Sequence, residues 1–226
     1  AYQRAAKVFF VSVRTKEVVE QQLGISLPQA VVVRNPVNLS SVDLVTYPAN
    51  DTIQMAMVAN LITEHKGQDI VLQILASSHW KERNCHLNIY GTGKDEAYLK
   101  HLVHELGLTD KVSFYGKVND IRLLWASNHI LLMPSHMEGM PLALVEAMLC
   151  GRTAVVTDVG GNKEWMDENI NGFIAPAATV PAFETALHRA FSRREEWQQM
   201  GVLAHQKAME NYDPAAGNTL LQLISS

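Results

Sequence analysis

Met133-Pro-Ser-His-Met-Glu-Gly-Met-Pro-Leu-Ala-Leu-Val-Glu-Ala-Met-Leu-Cys-Gly151 decides how the rest of the chain is read. The run 129–133, apolar from Ile130 onward, ends at Pro134 and reads as a strand. A short loop follows. Pro141 suits a first helical turn, whose amides are unpaired anyway, and Gly151 suits a helix stop. Between Pro141 and Cys150 every residue except Glu146 is apolar. A helix apolar all round predicts burial. A lone carboxylate on it is costly unless something satisfies it. A structural salt bridge or a ligand's hydroxyls could each do so. Glu138 also reads two ways: as a negative charge near a helix N-terminus, or as a ligand contact beside Gly139, where a missing Cβ permits close approach. The junction from Gly139 through Met140 to Leu142 is expected to point unpaired amides outward, which suits an anion such as a diphosphate.

Could Glu138 and Glu146 be a glycosidase pair? Eight helical positions span roughly 12 Å. A retaining pair needs about 5–5.5 Å and an inverting pair about 6.5–9.5 Å. The spacing disfavours two carboxylates flanking one glycosidic bond. It fits two carboxylates touching different parts of an elongated ligand.

Working outward, β-rich runs at 8–13, 30–33, 53–59, 86–90, 112–115, 154–157 and 172–174 alternate with helical patterns. The stretch 95–106 is expected to bury Tyr98, Leu99, Leu102, Val103 and Leu106 on one face. From residue 180 onward the pattern is helical, with Phe183, Leu187 and Phe191 in one stripe and Trp197, Met200, Leu203 and Ala204 in another. Alternation of this kind predicts an α/β fold, a parallel sheet flanked by helices. Several strands are apolar without alternation, as strands covered on both faces should be. The first two strands have too little chain for a sheet of their own. After Asn35-Pro36-Val37, the polar stretch 38–50 reads as a linker.

The chain has 226 residues, 47% of them apolar, and a net charge of −4. That balance suggests no polyanion-binding surface, so no nucleic-acid partner is expected. Two distant cysteines, Cys85 and Cys150, suggest a reducing, cytoplasmic setting. No apolar run approaches the ~20 residues of a membrane span, and no signal segment opens the chain.

Glu138-x7-Glu146, set in Pro-Ser-x-x-Glu-Gly-x-Pro-Leu-x-Leu-Val-Glu-Ala-Met, resembles the signature of glycosyltransferase family 4, the group 1 glycosyltransferases with the GT-B fold. The resemblance extends over nearly the whole chain. Val58-Ala-Asn-Leu61 with His65-Lys-Gly67 resembles the family's strand and Lys-Gly segment. Leu87-Asn-Ile-Tyr-Gly-Thr-Gly93 resembles its Gly-x-Gly turn, and Val112-Ser-Phe-Tyr-Gly-Lys-Val118 its next strand and loop. Thr157-Asp-Val-Gly-Gly161 through Glu164, then Asn171-Gly-Phe-Ile174, continue in order.

The resemblance implies a Rossmann-like sheet, the C-terminal half of a GT-B enzyme. Residues 51–226 would be the donor-binding domain, 38–50 the linker, and 1–37 the remnant of an N-terminal acceptor domain. It also implies roles. Glu138 and Lys66 would be catalytic: Glu138 would accept from the donor sugar's hydroxyls, and Lys66 would put positive charge on the leaving phosphate. Glu146 would hold the ribose hydroxyls. Amides of Gly139, Met140 and Leu142 and of the turn Gly91, Thr92 and Gly93 would hold the diphosphate. Val118 and Asn119, with Lys117, would line the base. Ser135, in the motif itself, counts among the donor-binding residues. His136 either touches the donor or only caps the loop. Asn60 stands where many members carry an arginine, and brings neutral hydrogen bonds only.

The implied enzyme is a retaining, metal-independent hexosyltransferase without a cofactor. It would use a UDP- or GDP-sugar in cell-surface polysaccharide or glycolipid assembly. The acceptor, a glycan or lipid-linked sugar, would sit on the missing domain. The fragment alone would be inactive, and the full protein could work at the inner face of the membrane. A nucleotide-sugar 2-epimerase and a non-catalytic nucleotide-sugar-binding module are the competing readings.

The blander candidates are few. His101 and His104 fall on the polar face of their helix, which predicts solvated side chains rather than a metal site. Trp80, Trp125, Trp165 and Trp197 read as packing residues.

Overall fold

A computed structural model describes residues 2–225. The chain begins with a small unit, β1 (Val8–Phe10), α1 (Val13–Leu23) and β2 (Ala30–Val32), whose strands pair in parallel. Ser12 caps α1 by accepting the Thr15 amide at 3.1 Å, and Gly24 ends it in the left-handed region.

The larger unit alternates strand and helix. In order it holds β3 (Ile53–Val58), α2 (Thr63–Lys66), α3 (Gln68–Leu75), α4 (Ser78–Lys81), β4 (Cys85–Tyr90), α5 (Glu96–Glu105), β5 (Val112–Gly116), α6 (Ile121–Ala126) and β6 (Ile130–Met133). Then follow α7 (Leu142–Leu149), β7 (Thr153–Thr157), α8 (Asn162–Trp165), β8 (Phe173–Ala175), α9 (Val180–Ser192), α10 (Trp197–Asn211) and α11 (Ala216–Ser225). Six strands form one parallel sheet in the order β5-β4-β3-β6-β7-β8. Two cores flank it. Met55, Met57, Leu87 and Ile89 face one with α3, α5 and α9. Ala56, Tyr90, Leu131 and Met133 face the other with α7 and α10. Strand residues alternate between faces, so both must be covered.

Chain order runs outward from β3 to β5 and then returns to β6 on the other side. The crevice outside the strand C-termini at such a reversal is where open α/β sheets bind ligands.

Four sequence expectations change. The first two strands do form a two-stranded sheet of their own, because each needs only three residues to pair with the other. Tyr98 is 49% exposed rather than buried, because the core contact of α5 is made by Leu99 and Val103 with Leu102 and Leu106 packed beside them. The helical tail breaks at Tyr212-Asp213-Pro214 before α11. And α7 is not buried all round: Leu142, Ala143 and Glu146 line a cleft, while Leu144, Val145 and 147–149 are buried. All four tryptophans are fully buried. Cys85 and Cys150 are buried and free.

Segment 38–50 holds no helix or strand, yet it lies tightly along the larger unit. Leu39, Val42 and Val45 pack on the core. Arg152, fully buried, ties it down. Its guanidinium donates to Val45 O at 3.2 Å and Thr46 O at 2.6 Å, and also to the carbonyls of Trp125, Asn128, Cys150 and Gly151. Among the described residues no helix is long and apolar enough to cross a membrane.

Candidate functional site

A cleft of about 610 Å³ opens at the reversal between β3 and β6. Lys66 at the end of α2 and Ile121 and Leu124 of α6 contribute to its walls, and four further stretches complete them. Val58, Ala59 and Asn60 close β3, Tyr90 and Gly91 close β4, Lys117 and Val118 follow β5, and Met133 to Glu146 run from β6 into α7. Of the residues the resemblance singles out, Lys66, Glu138, Glu146, Asn60, Gly91, Val118, Met140 and Leu142 line this cleft.

Glu146 is a half-buried carboxylate with no hydrogen-bond or ion-pair partner among the described residues. Loss of hydration at this wall pushes its pKa up to about 7. Of the two readings of this group, a structural salt bridge finds no cation among the described residues. Glu138 differs. Its Oε1 accepts from Lys66 Nζ at 2.7 Å and from Ser135 Oγ at 2.7 Å.

The backbone explains which amides an anion could use. The Gly91 N–H donates to Gly116 O at 2.7 Å, and the Leu142 N–H to Met140 O at 3.0 Å, so neither is free. The Gly139 and Met140 amides have no partner among the described residues. Gly91 and Gly93 have a packing reason to be glycine. A Cβ would stand 1.9 Å from Ala59 O at the first and 2.4 Å from Leu61 O at the second.

Thr92, Gly93, Asn119, Ser135, Gly139 and His136 do not line the cleft wall. Thr92 and Gly93 are exposed on the rim. Asn119 borders a neighbouring recess with Asn38 and Arg122. His136 is exposed, and its amide donates to His65 O at 2.9 Å. Gly139 is half-buried, its carbonyl accepting the Gly161 amide at 2.9 Å. Ser135 lies buried beneath Glu138. The Asn60 side chain is exposed at the lip, and its carbonyl accepts from Gln68 Nε2 at 2.9 Å.

Tyr90 was not legible as a site residue. Its ring lines the cleft, stacks on Tyr115 at 4.9 Å, and its hydroxyl accepts from Asn128 Nδ2 at 2.9 Å. Its position immediately before the Gly91 turn is the signal that could have found it. His101 and His104 are exposed, and no group of three or more His, Cys, Asp or Glu among the described residues could hold a metal ion.

The parallel sheet and its strand order match the Rossmann-like half of a GT-B fold. The profile of the family Glycosyl transferases group 1 matches residues 46–207, and the chain belongs to that family. It is 29% identical over 224 residues to the UDP-N-acetylglucosamine–peptide N-acetylglucosaminyltransferase GtfA subunit of Streptococcus gordonii, covering 93% of this chain and 43% of that protein. It is 30% identical over 137 residues to an uncharacterised glycosyltransferase of Haemophilus influenzae, covering 60% of this chain and 39% of that one. The chain thus spans less than half the length of either relative. Among solved structures, sucrose-phosphate synthase of Thermosynechococcus elongatus superimposes with a TM-score of 0.85 at 18% identity, covering 99% of this chain and 59% of that one. Anabaena HepE in complex with UDP and glucose gives 0.80 at 20% identity, covering 100% and 64%.

Proposed function

We propose that the cleft binds a nucleoside-diphosphate sugar and that the protein is a retaining, metal-independent hexosyltransferase. The observation that carries this is Glu146. An unpartnered, desolvated carboxylate lines the same cleft as a lysine and a second carboxylate. Ribose hydroxyls are donors that Glu146 lacks. Lys66 and the Gly139 and Met140 amides supply charge and donors for a diphosphate. Glu138 accepts from the sugar's hydroxyls, and Lys117 and Val118 lie along the base. Asn60 contributes neutral hydrogen bonds only, so Lys66 is the principal phosphate cation. Catalysis of this kind is electrostatic stabilisation of the departing nucleoside diphosphate.

The donor reading favours UDP, because HepE is solved with UDP and the S. gordonii relative is named for UDP-N-acetylglucosamine. Residues 1–37 are read as the end of an acceptor-side domain. The acceptor is a cell-surface glycan or lipid-linked sugar, met at the cytosolic face of the membrane.

A thermal-shift panel of UDP, GDP, their sugars and the bare nucleosides tests the binding, since a ligand that binds only the folded state raises the melting temperature. UDP should raise it, and Lys66→Ala should weaken UDP roughly ten- to a hundred-fold with uridine little changed. A melting temperature unmoved by every nucleotide would end this reading. These 226 residues should transfer no sugar on their own, because transfer needs both substrates held together.

A further inference from the structure

The Lys66–Glu138 contact carries a consequence that rests on the donor-site reading above. Lys66 faces the cleft, but its ammonium is not free, since Nζ donates to Glu138 Oε1 at 2.7 Å. The pairing is built into the backbone. His65 O accepts the amides of His136 at 2.9 Å and Met137 at 3.3 Å. Gly67, with φ of 62°, lies so near the site loop that a Cβ would stand 2.4 Å from Pro134 O. The end of α2 and the site loop therefore meet as one unit, which brings the two side chains together.

Ser135 fixes the carboxylate. Its Oγ donates to the same Oε1 at 2.7 Å. Its own carbonyl accepts from Thr157 Oγ1 at 2.5 Å, and Thr157 O accepts from Asn162 Nδ2 at 2.8 Å. Ser135, Thr157 and Asn162 are all buried. With Oε1 taken twice, Oε2 is the oxygen of Glu138 left without a partner among the described residues.

We propose that Ser135 clamps Glu138 onto Lys66, so that a diphosphate entering the cleft must take the lysine from a carboxylate that already neutralises it. Ser135 is then a positioning residue and not a donor contact. A lysine is a point charge on a flexible stem, so it can turn from carboxylate to phosphate with no backbone movement. Once it turns, Glu138 loses its cation, with Oε1 still held by Ser135 and Oε2 open. The carboxylate becomes a stronger acceptor for sugar hydroxyls as the diphosphate arrives. A bare nucleoside diphosphate must break the Lys66–Glu138 pair and gains nothing from the freed carboxylate. A nucleotide sugar recovers that loss through its hydroxyls.

The test is calorimetric titration of UDP and uridine into the 226-residue chain and its E138Q, S135A, K66A and K66A/E138Q variants, with melting curves to confirm folding. Glu138→Gln keeps the shape and removes the charge. It should bind UDP about fivefold more tightly, the size of a partly exposed ion pair, with uridine unchanged. Ser135→Ala should move UDP affinity the same way by less, again without touching uridine, and it carries the test should Glu138→Gln not fold. The gain should vanish in the Lys66→Ala background. UDP affinity unchanged or weakened in the single variants, or a gain that survives without Lys66, overturns the clamp. If the parent chain binds neither UDP nor uridine, the donor-site reading falls and takes the clamp with it.

Discussion

Arg34 Nη1 lies 2.7 Å from Glu164 Oε2, and the guanidinium also stands 5.2 Å from the centroid of the Trp165 ring. The other carboxylate oxygen of Glu164 accepts the Arg14 amide at 3.0 Å. One side chain on α8 therefore holds two points of the amino-terminal unit, beside the loop where Gly161 bonds Gly139. Both partners are mostly shielded, with side chains 19% and 17% exposed.

A double-mutant cycle with Arg34→Ala and Glu164→Ala should give a coupling of about 1 kcal/mol that shrinks at high salt. Hydrogen exchange should quicken first in α1, because its tether is lost while the six-stranded sheet is untouched. Equal quickening across both units would mean that the pair does not join them.

Glu146 makes stability and binding depend on pH. Its folded pKa, about 7, lies above the ordinary 4.5, so the folded chain holds that proton where the unfolded chain has released it. The stabilising contribution is full below about 4.5 and is lost as pH rises through 7. Glu146→Gln should therefore be more stable than the parent at pH 8, by up to about 3 kcal/mol, and no more stable at pH 4. Ribose hydroxyls would favour the ionised form, so UDP binding near pH 6.5 should release a proton, seen as buffer-dependent binding enthalpy. The variant should release none. Equal proton release by both would remove Glu146 from the ligand.

The glycine turn after β4 can mislead a mutational scan. Gly91→Ala meets a φ of 126° and the Ala59 carbonyl at 1.9 Å, so it should cost on the order of 3 kcal/mol of stability. Gly93→Ala should be of similar size, against Leu61 O. Thr92→Ala, on the exposed rim, should change stability little. Urea unfolding of the three variants checks this. Lost UDP binding in Gly91→Ala that tracks lost folding says nothing about phosphate.

Arg152→Met should be among the most destabilising single changes, at about 3–5 kcal/mol. It strips a buried donor set from six carbonyls and frees segment 38–50. Arg152→Lys should recover only part, because an ammonium has three donors and no planar fork. Chemical denaturation gives the loss, and faster proteolysis at 38–50 before global unfolding gives its location. Wild-type protection of that segment in Arg152→Met would show that Leu39, Val42 and Val45 hold it by packing alone.

What the sequence determined by itself was whatever local pattern encodes. Apolar runs without alternation specified strands covered on both faces, and the order of strand and helix specified a parallel sheet. Glu138 and Glu146, the two charges in the run from Met133 to Gly151, specified where to look for chemistry. Tertiary structure decided the rest, because it depends on what stands opposite. Spacing puts Tyr98 on the core face, yet it is half exposed, because Leu99 and Val103 make the core contact of α5. Segment 38–50 was read as a linker from its polarity, yet a buried arginine more than a hundred positions later binds its carbonyls. The amides of Gly91 and Leu142 were read as free, yet the carbonyls of Gly116 and Met140 occupy them. Sequence spacing also made Glu138 and Glu146 look alike. Ser135 stands three positions before the first, but only the fold brings Lys66 to it from 72 positions away, and it brings no partner to the second among the described residues. A carboxylate's chemistry is set by its solvent and its charged partners, and those depend on what the fold places opposite it.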